Sequence, residues 1–165
     1  MPKANIIIAL GGRFHAQEMA EALLSVGHCV KLHTTFTRGR FSRLGPELIE
    51  TYLLPEIGYR ALRSVGLESA GALFKIRQFG RQLERRLRGS KADLFIVWSA
   101  FGLESLRARV APIQIVERDS THISHQILVL KEAYAKFDLP FPDHSAIEAR
   151  ELEEYELADH IVVLS

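Results

Sequence analysis

Short apolar runs alternate with stretches of helical periodicity along almost the whole chain, and this alternation restricts the fold more than any other feature of the sequence. The runs lie at Asn5 to Leu10, Cys29 to His33, Thr51 to Leu54, Leu94 to Trp98, Ile113 to Val116 and Ile161 to Leu164. Continuous rather than alternating apolar character marks strands buried on both faces. Between the first two runs Met19, Leu23 and Val26 recur at helical spacing, and Gly27 stands where a helix terminates, which closes a βαβ unit. Repeated along the chain, such units predict an α/β fold: a doubly wound, mostly parallel sheet with helices on both faces and right-handed crossovers. With 165 residues and 47% apolar content, residues 1–165 make one domain with a sizeable core and leave no room for a second.

Two further helices can be read directly. Over Ala70 to Gly89, Leu73, Ile76, Leu83 and Leu87 form an apolar stripe, and Lys75, Arg77, Arg81, Arg85, Arg86 and Arg88 crowd the remainder. Ser145 with Glu148 three residues later is a capping-box pattern, starting a helix that runs through Glu151 and Tyr155 toward Asp159. The chain then stops at Ser165, at the carboxyl end of its last strand, where open α/β sheets bind ligands; this reads as half of a cleft. The lone Cys29 excludes an internal disulfide and reads as a small buried hydrophobe opening a strand. A net charge of +1 does not suit a nucleic-acid protein. With no secretory leader and no apolar run of about 20 residues, the chain is expected to be soluble and cytoplasmic, or peripheral at the inner face of a membrane.

Candidate chemistry gathers at strand ends. Gly11, Gly12, Arg13, Phe14 and His15 follow the first strand and precede a helix, whose free N–H groups and positive dipole end suit a phosphate or a set of sugar hydroxyls. The glycine pair can equally serve a tight turn. It is not the three-glycine dinucleotide fingerprint, and the second strand ends in His33, Thr34 and Thr35 rather than in a ribose-binding acid, so no nicotinamide cofactor is expected.

The densest polar cluster, Glu117, Arg118, Asp119, Ser120, Thr121, His122, Ile123, Ser124 and His125, opens directly from the Ile113 to Val116 run. Ile123, Ile127, Leu130 and Tyr134 are helically spaced, which makes Ser120 or Thr121 the cap and puts His122 in the first turn. The helix N-terminus there disfavours an imidazolium, while Glu117 and Asp119 favour it. His122 is the candidate catalytic group; a solvated loop in which Arg118 pairs with Asp119 is the competing reading. No wider ligand set accompanies His122 and His125, so no metal is expected. Trp98 and Ser99 line the same cleft, Trp98 as a core or cleft-wall aromatic.

Together the Gly11-Gly12-Arg13-Phe14-His15 loop, Asp93-Leu94 leading to Trp98-Ser99-Ala100-Phe101, Val116 to His122, and Arg150-Glu151-Leu152-Glu153-Glu154-Tyr155 running on to Asp159 resemble the N-terminal domain of glycosyltransferase family 4. The resemblance covers essentially the whole chain and implies a Rossmann-like domain forming one half of a GT-B fold. It implies a retaining transferase that moves a sugar from a nucleotide-diphosphate donor to a sugar or lipid-linked acceptor, inactive without a separate donor-binding C-terminal domain or subunit. Gly11 and Gly12, with Arg13 and His15, would lie against the donor diphosphate, and Glu117, Arg118, Ser120, Thr121, His122 and His125 would line the acceptor pocket. Many relatives carry a histidine where this sequence places Ser99. No cofactor is implied. The Lys75 to Arg88 helix reads either as a solvated face or as a contact with an anionic membrane. Two other functions stay open: a small nucleotide-binding Rossmann-like enzyme, and a membrane-surface or partner-binding module.

Overall fold

The computed structural model describes residues 2–163. Six strands, β1 (Asn5–Leu10), β2 (Cys29–Thr34), β3 (Ile49–Thr51), β4 (Leu94–Trp98), β5 (Ile113–Arg118) and β6 (His160–Val163), form one sheet in the order β3-β2-β1-β4-β5-β6. Every neighbouring pair is parallel. Six helices connect them: α1 (Ala16–Ser25), α2 (Leu53–Ser64), α3 (Glu68–Leu87), α4 (Leu103–Arg107), α5 (Ile123–Ala135) and α6 (Ser145–Leu157). The fold is Rossmann-like and doubly wound.

Alternate residues of each buried strand point to opposite faces, and each face has its own core. Ile6, Ile8, Leu10 and Trp98 pack with Ala16 and Ala20 of α1 and with Phe41 from the β2–β3 connection. Ile7, Ala9, Phe95 and Val97 pack with Phe79 and Leu83 of α3 and Leu106 of α4. Gly27, at φ 93, ends α1 as the sequence predicts: its N–H bonds Leu24 C=O at 3.0 Å and that of His28 bonds Leu23 C=O at 3.1 Å.

Four details differ from the sequence reading. The third strand is Ile49–Thr51, and Leu53 and Leu54 begin α2 instead; Pro55 sits in the first helical turn, where its missing N–H costs nothing. The capping box at Ser145 does not form. Ser145 is already helical and its N–H bonds Asp143 Oδ1 at 2.9 Å, because an aspartate side chain reaches the N–H two residues on. Cys29 is exposed, lining a groove of about 480 Å³ beside the end of α3 that leaves the opening of β2 uncovered. The last strand begins at His160 and, at the edge of the sheet, is exposed along its length rather than buried; Leu164 lies outside the described residues.

Candidate functional site

The strand order reverses between β1 and β4, and the crevice outside their carboxyl ends is where an open α/β sheet admits a ligand. The loop after β1 is fixed from the neighbouring strand: Thr34 Oγ1 donates to Gly12 C=O at 3.1 Å and Thr35 Oγ1 to Gly11 C=O at 2.9 Å. These hydroxyls occupy the place at which a dinucleotide fold keeps its ribose acid, and His33 turns beneath α3 to meet Tyr52 Oη at 2.9 Å. Glycine is required at position 11 for space, since a Cβ there would lie 1.9 Å from the Phe101 ring; the Gly12 position faces Phe14 at 2.7 Å.

Phe14 stacks over Trp98 at 5.9 Å between centroids and His15 tilts over the same indole at 5.2 Å. Trp98 is buried in the core as expected, but its Nε1 has no hydrogen-bond partner among the described residues. From this perch His15 Nε2 meets Glu117 Oε1 at the end of β5. The Glu117 side chain is 2% exposed and that of His15 37%. Burial raises the Glu117 carboxyl above its ordinary range, His15 pulls it back down, and Asp119 adds to the rise. With Nε2 engaged, Nδ1 of His15 makes no hydrogen bond among the described residues, and in the neutral ring that donates Nε2–H to Glu117 it is an acceptor at the rim.

Arg118, taken from the sequence as a substrate ligand, is the centre of a second group. It is buried and donates to Thr121 C=O at 3.0 Å, Ser99 Oγ at 3.0 Å, Glu151 Oε2 at 2.7 Å and Gln126 Oε1. Its ionic partner is Glu151 of α6, not Asp119. Ser120 Oγ also reaches Gln126, at 3.4 Å. Burial raises the Glu151 carboxyl, with Arg118 foremost among the groups opposing the rise.

His122 is itself the N-cap of α5, and neither Ser120 nor Thr121 caps it. Its Nδ1 accepts the Ser124 N–H at 3.3 Å. An accepting Nδ1 puts the ring proton on Nε2, so His122 offers a donor rather than a base. Its ring lies 5.3 Å from that of Tyr155, whose hydroxyl donates to Glu151 Oε2 at 2.9 Å. Arg13 and His125 are exposed, the latter on the surface of α5. Thus Gly11, Gly12, His15, Trp98 and Glu117 come together, Ser99, Arg118, Ser120 and Thr121 form an adjoining knot, and His122 joins it through Tyr155.

The sequence reading assigned no role to the α6 side chains that grip the loop after β4. Ala100 holds φ 73, a strained value for a residue with a Cβ. Glu154 Oε2 accepts its N–H at 2.5 Å, Arg150 Nε donates to its C=O at 2.6 Å, and Glu154 Oε1 also takes the Gly102 N–H at 2.8 Å. Arg150 pairs in turn with Glu104 of α4. Glu154 is fully buried, and burial pushes its carboxyl up to about 8 against the pull of Arg150 and the two N–H donors. A signal for this brace exists in the sequence. The stripe that starts at Ile147 and closes at Leu157 carries Arg150, Glu151 and Glu154 where apolar residues would ordinarily pack.

Fold and site together define a Rossmann-like domain with a polar, pre-braced crevice at its switch point. Comparison with protein-family models and with curated protein sequences gives no match. Among the described residues no cluster of three or more His, Cys, Asp or Glu could hold a metal ion, and no helix is long and apolar enough to cross a membrane.

Proposed function

We propose that this chain is the acceptor-side domain of a retaining glycosyltransferase, with the nucleotide-diphosphate sugar held by a second, separately folded half. The observation that carries this reading is the His15–Glu117 pair at the switch-point crevice. Its buried carboxylate fixes the imidazole by Nε2 and leaves Nδ1 to accept from a hydroxyl, an arrangement that orients a sugar alcohol. In transfer, the acceptor O–H bond breaks and its oxygen bonds the sugar C1. The bond from C1 to the donor phosphate breaks, and the leaving phosphate takes the proton. His15 orients the hydroxyl, His122 Nε2 donates to a second sugar oxygen, and Arg118 and Ser99 hold the wall of the pocket rather than the ligand. A dinucleotide enzyme is disfavoured because Thr34 and Thr35 occupy the ribose-acid position and are bonded to the glycine loop.

Saturation-transfer NMR on the intact chain tests the reading, using a panel of monosaccharides and disaccharides with NAD as a control. Saccharide signals that His15→Ala removes and Glu117→Gln weakens are expected, with none from NAD. Saturation of NAD, or of no saccharide, or of saccharides equally in His15→Ala and wild type, refutes it.

A further inference from the structure

Helix α2 turns an apolar stripe outward. Leu54, Ile57 and Val65 are 59%, 61% and 69% exposed, Ala61 lies exposed between them, and Leu53 beside them is 43% exposed. Steps of three and four residues align them along one side of the helix. The other side is already used: Pro55 is buried, and Gly58 lies so close to α3 that a Cβ would stand 2.1 Å from the Phe74 ring. An apolar stripe of this length on a surface helix marks a contact face.

The surrounding charge states what it contacts. Leu53 and Ile57 share a cleft of about 450 Å³ with Phe36, Arg40 and Arg60. Arg60 Nε and Lys75 Nζ both bind Glu56, each at 2.8 Å, and the Arg40 guanidinium stands over the Phe36 ring at 5.9 Å. Two cations therefore share one carboxylate, and neither Arg40 nor Arg38 on the same turn has an ion-pair partner among the described residues. An exposed apolar stripe with a cationic rim fits a bilayer interface bearing anionic headgroups. Helix α3, basic as it is, lacks the apolar half of such a contact: Ile76, Phe79, Leu83 and Leu87 are buried in the core, and Lys75, Arg86 and Arg88 pair with Glu56, Glu50 and Glu84.

We propose that the α2 face docks on an anionic lipid surface, Leu53, Leu54 and Ile57 entering the acyl boundary while Arg38, Arg40 and Arg60 meet headgroup phosphates. Docking of this face is independent of sugar transfer at the crevice. Co-sedimentation of the intact chain with phosphatidylcholine vesicles, with and without about one third phosphatidylglycerol, reads it directly. Binding is expected only to the anionic vesicles and is expected to fall at high salt. Arg40→Ser should weaken it roughly five-fold, and Leu54→Ser with Ile57→Ser roughly ten-fold or more. These side chains are exposed, so far-UV circular dichroism and melting should stay at wild type. The proposal is overturned by absent binding, by equal binding to neutral vesicles, or by undiminished binding of the double variant. It is equally overturned if sedimentation equilibrium shows a dimer that Leu54→Ser with Ile57→Ser dissolves and that does not bind vesicles.

Discussion

Replacing Arg118 by methionine separates a brace from a ligand. The Arg118 side chain is 8% exposed and that of Glu151 4%, so the substitution strands a carboxylate that water cannot reach. Thr121, exposed, can turn its carbonyl to solvent; Glu151 keeps only the neutral hydroxyls of Tyr155 and Ser99. Breaking one side of a buried pair costs about 3–5 kcal/mol, most of it the uncompensated charge. For a domain of this size each kcal/mol lowers Tm by roughly 2–4 °C, so a fall of about 10 °C is expected. Urea unfolding followed by the fluorescence of Trp98, the single tryptophan, gives the free energy. Adding Glu151→Leu removes the stranded charge, and the double variant should return to within about 2 kcal/mol of wild type.

The same pair gives a pH test. Burial already raises the Glu151 carboxyl, and Arg118 is the first of the groups holding it down. Without Arg118 the native state keeps that proton to higher pH than the unfolded chain does, so the variant's deficit shrinks as pH falls. A loss below about 1 kcal/mol in Arg118→Met, or a double variant no better than the sum of its singles, would refute the brace and restore Arg118 as a candidate ligand.

Two further expectations concern the crevice. Gly11→Ala drives a methyl into the Phe101 ring at 1.9 Å and should cost about 1–3 kcal/mol by urea unfolding, with Phe101→Leu as the compensating change; an unchanged midpoint would mean that the ring moves freely. For Glu154, whose carboxyl is held up to about 8, the native state binds more protons than the unfolded chain between the ordinary carboxylate range and that value. Stability from this group is therefore full in acid and lost as pH rises through about 8, and Glu154→Gln should flatten the urea midpoint across that window; an unaltered slope would remove Glu154 as its source.

The fold was legible because parallel strands announce themselves as continuous apolar runs, and five of the six came close to their observed positions, although β6, read as buried, is an exposed edge. The exception was β3, a three-residue edge strand too short to show a period of its own, next to Leu53 and Leu54, whose apolar pair belongs to a helix. In the site, Gly11, His15, Trp98 and Glu117 could be picked out because each stands where an apolar run ends. What Arg118 and His122 do could not be read, since it depends on contacts distant in sequence or on one ring nitrogen. Arg118 is exhausted by Glu151 of α6 together with Ser99, Thr121 and Gln126, and His122 loses its basic nitrogen to the Ser124 N–H. The α6 acids were passed over because a run of charge reads as solvated, although helical spacing puts Glu151 and Glu154 on the stripe of Ile147 and Leu157, where they are buried, and turns Glu153 away to the surface beside Arg107.

The brace also decides what the strain at Ala100 means. A left-handed alanine costs on the order of 1–2 kcal/mol, and such strain can be stored for release on ligand binding or simply outweighed. Here the same residue is gripped on both sides by side chains 54 and 50 residues further on, Glu154 on its N–H and Arg150 on its C=O. A hydrogen bond to a charged group contributes about 1.5–3 kcal/mol and a neutral one about 0.5–1.5, so the two together exceed the cost of the conformation. Glu154, at about 8, is protonated for much of the physiological range and gives the smaller share there, yet the Arg150 bond alone matches the strain. The strained loop is therefore the resting state of the domain. Because its anchors come from α6, the helix that precedes β6, the wall of the crevice rests on α6 as much as on the strand it follows.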